Sequence, residues 1–138
     1  MAEYDVASET QAGIRAALLA DADFAALDLA IYDEPPQDEP APFVRFGRIE
    51  ARRDDTDGFL GWIVALGLEA HSRPKAGRIE AQQICGKIAA ALHRQPGLVT
   101  VTGFAVIEVE AGPITATRAV DGATYTGTVA VSVRLDAL

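Results

Sequence analysis

In the stretch FLGWIVALGLEAH, residues 59 to 71, every second position is apolar: Leu60, Trp62, Val64, Leu66, Leu68 and Ala70. The positions between them include Gly61, Ala65, Gly67, Glu69 and His71. A period of two over this length predicts a long strand with one large face in a core and one small face. Glycines inside a strand often mark a close backbone approach, so the small face receives either a tightly packed helix or another chain.

The rest of the chain supplies partners for that strand. FVRFGRIEA, from Phe43, is a second strand candidate by its aromatic and β-branched content, followed by the charged loop Arg52 to Gly58, read as mobile. LVTVTGFAVIEVE sets Val99, Val101, Ala105, Ile107 and Val109 on one face. TYTGTVAVSVRL does the same with Tyr125, Val129, Val131, Val133 and Leu135. The Asp121-Gly122 pair between them is a turn signal, which predicts a long antiparallel hairpin. Helices are predicted over about Tyr4 to Ala20 and over the segment between Ser72 and Pro96. The second helix has Pro74 in its first turn and a stripe of Ile79, Ile84, Ile88 and Leu92 beside Ala81, Cys85 and Ala89. Between the first helix and the first long strand, DADFAAL offers Asp21 or Asp23 as an N-cap for one more turn, and LAIY is a short extended piece. The order α-β-β-α-β-β predicts an α+β fold, a mainly antiparallel sheet with helices on one face. With 138 residues, 49% of them hydrophobic, a single domain spanning 1–138 is expected.

One segment can be neither helix nor central strand. PPQDEPAP, residues 35 to 42, holds four of the seven prolines, each without an N–H and each pushing its predecessor out of the helical region. It is also acidic. Residues 1 to 40 carry ten Asp and Glu against Arg15 alone, whereas residues 41 to 138 carry ten acids and eleven bases, for a net charge of −8. Such a chain repels phosphate, which argues against binding nucleic acid through its backbone. The sequence has no secretory signal pattern and no apolar run of about 20 residues, so no membrane is expected as a partner.

The search for chemistry yields little. His71, at a strand end, and His93, in a last helical turn, sit in no catalytic motif; His93 is explained by the helix C-terminal carbonyls. Gly58, Gly61 and Gly67 form no phosphate loop. Asp54, Asp55 and Asp57 resemble a fragment of a calcium loop but lack the downstream Glu, and Arg52 and Arg53 precede them. Glu108 and Glu110 alternate on one strand, facing away from the core, and Cys85 is a lone core thiol without zinc-ligand partners. No enzyme, cofactor or metal is indicated. The long strands, the small strand face and the projecting hairpin suit association with other chains.

Several stretches together resemble the small tail-completion proteins, or tail terminators, of long-tailed phages and the related gene transfer agents. They are LLADADFAAL, IYDEPPQDEPAPFVRFG, GWIVALGLEAHSR, GRIEAQQICGKIAAALH and ATRAVDGATYTGTVAVSVR, in family order. The chain departs from the pattern at Ala70-His71-Ser72, where a strand ending in Trp-Ser would be expected, and in its acidic lead-in. The resemblance implies a virion structural protein that assembles as a ring, a hexamer, on the tail tube. It implies the tail tube protein and a head-to-tail connector protein as partners, DNA only as cargo in the lumen, and a place in the host cytoplasm during assembly and then in the particle tail. Acidic segments facing that lumen would discourage DNA from sticking. Another connector, a minor tail protein or a small ligand-binding domain are the alternatives. Three interaction elements are expected: a rigid arm of Asp33, Glu34, Pro35, Pro36, Asp38, Glu39 and Pro40; the loop of Arg52, Arg53, Asp54, Asp55 and Asp57; and the projecting turn of Arg118, Asp121 and Gly122.

Overall fold

The computed structural model describes residues 5–56 and 58–138; Tyr4, the expected start of the first helix, and Asp57 lie outside them. Helix α1 runs Val6–Ala20 and is opened by Asp5, whose carboxylate accepts from the amides of Ala7 and Ser8. Asp21 closes α1 and caps the single turn α2, Ala22–Ala25, by accepting from the Phe24 amide, which turns Phe24 into the core. The strands are β1 Ile31–Tyr32, β2 Phe43–Arg53, β3 Gly61–His71, β4 Phe104–Arg118 and β5 Tyr125–Ala137, with helix α3 at Gly77–Leu92 between β3 and β4. They form one sheet in the order β1-β2-β3-β5-β4. The fold is α+β, as the segment order predicts, with one addition: LAIY joins the sheet as β1, parallel to the start of β2.

Strand β3 lies at the centre, paired along its whole length with β5 from Gly61↔Asp136 to His71↔Thr126, and with β2 on its other side. Its alternation is real from Val64 onward: Val64, Leu66, Leu68 and Ala70 are buried together with Val129, Val131, Val133 and Leu135 of β5. Helices α1 and α3 cover this face, placing Ile14, Leu18, Ile84, Ile88 and Leu92 in the core. No helix covers the other face among the described residues, so the question left open by the small side chains resolves against a packed helix. Close backbone approach occurs at Gly61, where a Cβ would stand 2.5 Å from the Asp54 carbonyl oxygen, and on the covered face at Gly127. A Cβ there would stand 2.7 Å from Cys85 Sγ and 3.1 Å from the Ala81 carbonyl oxygen of α3.

Four details differ from the sequence reading, each because tertiary bonding outweighs local pattern. Helix α3 starts at Gly77 rather than near Ser72, because Lys75 and Gly77 both have positive φ and Ser72 is bonded to β5. Ser72 donates its amide to the Tyr125 carbonyl and accepts the Tyr125 amide on its hydroxyl, each at 2.9 Å. Within α3, Ile79 stands nine residues before Ile88, on the opposite side of the helix, and is 64% exposed. Leu60 precedes β3 and is 60% exposed. In β4 a register shift between Val106 and Glu108 turns Ile107 outward, while Val99 and Val101 are buried from the irregular segment before the strand. His93 ends α3 by accepting the Ala111 amide on Nδ1 at 3.1 Å, so it ties the helix to β4 rather than stabilising its own carbonyls.

The α3–β5 contact sets a measurable sensitivity. Gly127→Ala is expected to lower the unfolding free energy by about 1–3 kcal/mol through overpacking. In denaturant titrations the effect of Cys85→Ala added to Gly127→Ala should be less than additive, since it removes the nearer of the two clashing atoms.

Candidate functional site

The three elements expected to mediate contacts are divided between the two ends of β3, which eleven residues hold roughly 33 Å apart. The proline segment and the β4–β5 turn share one end. Together they border a cleft of about 440 Å³ lined by Glu39, Pro40, Phe43, His71, Asp121 and Thr124. The loop from Arg52 to Gly58 lies at the other end.

At the first end, the arm is held at its root. Gln11 of α1 donates to Asp33 at 2.9 Å, the Glu39 amide bonds the Pro36 carbonyl at 3.1 Å, and Asp38 has a φ of 61°. Glu34, Pro36, Asp38 and Pro40 are exposed and Pro35 half-buried. Burial raises the Tyr32 hydroxyl pKa, and the Glu39 carboxylate beside it adds to the effect. Tyr32 meets Phe43 edge-on at 5.9 Å, and Phe43 stacks on His71 at 4.8 Å. The turn across the cleft is rigid: the Asp121 carboxylate accepts from the amides of Ala123 and Thr124 and from the Thr124 hydroxyl, and Gly122 supplies a φ of 71°. These bonds hold the Asp121 pKa below the usual carboxylate value.

Beside the turn stands a group that sequence reasoning missed. The guanidinium carbons of Arg78 and Arg118 lie 5.3 and 5.5 Å from the Tyr125 ring centre, and Arg118 Nη2 donates to the Tyr125 hydroxyl at 3.0 Å. The hydrogen bonds from Arg118 and then Arg78 lower the phenol pKa. Lys75 is adjacent, its amide bonded to the Ala123 carbonyl. The signal in the sequence is the run RPKAGR at residues 73 to 78, whose local pattern is that of a helix opening. Also unforeseen is an apolar groove of about 670 Å³ between the α2–β1 connection and α3, floored by Leu27, Leu29, Pro42 and Ile84.

At the second end, charges build the turn rather than project from a mobile loop. Asp54 pairs with Arg134 at 3.2 Å, Asp55 accepts the Gly61 amide at 3.0 Å, and Arg53 stacks over Trp62 at 4.1 Å. Thr56 and Phe59 exchange backbone hydrogen bonds across the turn. Arg52, Arg53 and Asp55 are exposed and none of them has an ion pair among the described residues. With Asp54 and Asp55 so engaged, no group of three or more metal-ligating side chains forms among the described residues. Glu108 and Glu110 border a shallow hollow on the open sheet face with Ile63, Ser132 and Arg134. Burial pushes the Cys85 thiol up to about 11, which keeps it protonated inside the core. At the first end the Thr126 hydroxyl stands 3.5 Å from His71 Nδ1, a contact at the outer limit of a hydrogen bond. Both ends present charged surfaces beside an open sheet, as an assembly subunit does.

Known proteins agree with that class. The family model of the tail completion protein gp17 matches residues 12–136. The chain belongs to this family, and it is a structural protein of phage-type tails. No curated protein sequence matches it significantly. Among solved structures it is similar to a chain from the virion of a native gene transfer agent particle. That similarity has a TM-score of 0.83 and 20% identity, covering 97% of this chain and 99% of that one, and it shows the shared fold. No described helix is long and apolar enough to cross a membrane.

His71 gives the first end a pH dependence. Burial holds its imidazole pKa below the ordinary 6.5, against the pull of Glu69 and with a smaller push from Arg45. The folded state thus favours the neutral ring, so as pH falls the unfolded chain takes up the proton first. Stability from this group is complete above 6.5 and declines as pH drops from there to the depressed folded value. His71→Gln should remove this part of the stability–pH profile, read from thermal melts on either side of that window.

Proposed function

We propose that the protein is a tail terminator: copies close into a ring, a hexamer, on the end of the tail tube, stop its polymerisation and present a surface to the head-side connector. The observation that carries this reading is the sheet with helices on one face only. Its open face, floored by Ala65, Gly67, Thr128, Ala130 and Ser132, has small side chains that another chain can approach closely. Family membership across residues 12–136 supports placing that contact in a tail. A ring requires that one patch of each subunit match a different patch of the next. The two differently built ends and edges of this sheet supply such non-identical patches. DNA is cargo in this reading, and the net charge of −8 discourages it from adhering as it passes. The three charged elements named above act as contacts, with the proline segment as a pre-extended docking arm whose ordering cost on binding is low.

A head-to-tail connector role differs in position rather than chemistry, and co-purification with tail tubes rather than empty heads separates the two. Sedimentation over a range of concentrations, alone and with tube protein, should show a closed species built from several 14.6 kDa chains. A protein that remains monomeric in both conditions overturns the ring.

A further inference from the structure

Two charged surfaces of the chain lack counter-ions and are opposite in sign. Arg78 and Arg118 converge around Tyr125, the Lys75 backbone is bonded to the adjoining turn, and none of the three side chains has a carboxylate within ion-pair distance among the described residues. The nearby Asp121 carboxylate is turned onto its own turn amides and the Thr124 hydroxyl. Asp33, Glu34, Asp38 and Glu39 likewise have no cationic partner among the described residues; Asp33 is bonded to the neutral Gln11. Two cations held on one ring without an acid are mutually repulsive, and the chain around them is acidic overall.

Their placement explains why they do not neutralise each other within one chain. The acids follow β1 at one edge of the sheet, whereas Tyr125 and Arg118 lie on β5 and β4 at the opposite edge. Three strand spacings separate β1 from β5, roughly 14 Å, and of the four acids Glu39 is the one that lines the cleft bordered by Asp121 and Thr124. Both groups nevertheless sit towards the same end of the sheet, where Phe43, His71 and Thr126 are aligned. Copies set side by side, in the same orientation, therefore bring the acidic arm of one against the basic cluster of the next.

We infer that the segment from Asp33 to Glu39 of one copy docks on the Arg78–Arg118 cluster around Tyr125 of a second copy. The inference rests on the ring reading above and assigns the two halves of its repeated contact. Two carboxylate pairs, Asp33-Glu34 and Asp38-Glu39, flank Pro35 and Pro36, whose fixed φ limits the freedom lost on docking. Planar guanidinium groups receive carboxylates through paired hydrogen bonds, and the tyrosine between Arg78 and Arg118 fixes where they stand. A DNA phosphate could use the same chemistry, but the chain already carries four complementary carboxylates and its net charge repels a polyanion.

The test is a charge swap read by sedimentation at low and high salt. Arg78→Glu with Arg118→Glu, and separately Asp33→Lys, Glu34→Lys, Asp38→Lys and Glu39→Lys, should each weaken self-association at least about tenfold at low salt. Both sets combined in one chain should return it to within about threefold of the original. Melting temperatures check folding; if the Glu variant unfolds, Arg78→Gln with Arg118→Gln should still weaken assembly and flatten its salt dependence. If the original chain assembles and the arginine variants assemble equally well, or the combined chain does not recover, this docking is wrong and the ring stands. If the original chain does not assemble even with tube protein, the ring reading fails and this contact fails with it. Arginine variants that keep the assembly but lose binding to a short fluorescent DNA duplex assign the cluster to nucleic acid and overturn the inference.

Discussion

The architecture depends on the contact of α3 with β5, where Gly127 lets the helix backbone at Ala81 and the Cys85 side chain come down onto the strand. That approach lets Ile84, Ile88 and Leu92 reach the valines of β5 and the leucines of β3. Because β3 pairs with β5 along eleven residues, fixing the helix over one strand fixes which face of both is interior. A one-residue slip would turn Val64, Leu66 and Leu68 to the open side, so register and burial enforce each other. All helical cover among the described residues lies on one side as a result, and the other side remains available to neighbours.

The sheet also controls its edges. Strand β4 is the outer strand on one side, and the end of α3 occupies its edge groups: Arg94 donates to the Val109 carbonyl and His93 accepts from the Ala111 amide. Immediately beyond, the bulge between Ala111 and Ile114 holds Pro113, which has no N–H to offer. On the other side β1 covers only the start of β2 before the prolines lead the chain away. Uncontrolled strand addition is thereby discouraged, and recognition falls to side chains at the ends and on the open face. For a structural subunit of a tail, this limits contacts to those with the right chemistry.

The sequence by itself determined the element types, the α+β class and the turn at Asp121-Gly122, because period-two burial, proline stereochemistry and glycine's positive φ are local properties. It also marked the acidic proline segment as a surface feature. The resemblance carried by its ordered motifs pointed to the family. Local pattern could not show that Ser72 is taken by Tyr125, that Ile107 is turned out by a bulge, or that His93 serves β4, since each partner lies 18 or more residues away. Only the tertiary structure decided that the proline arm and the hairpin turn share one end while Asp54 and Asp55 are consumed in building the other. It also decided that Arg78 and Arg118 meet around Tyr125. The physical reason is that a charge becomes a surface feature or an internal brace according to which strand lies next to it, and strand order is a property of the folded sheet, not of the linear chain.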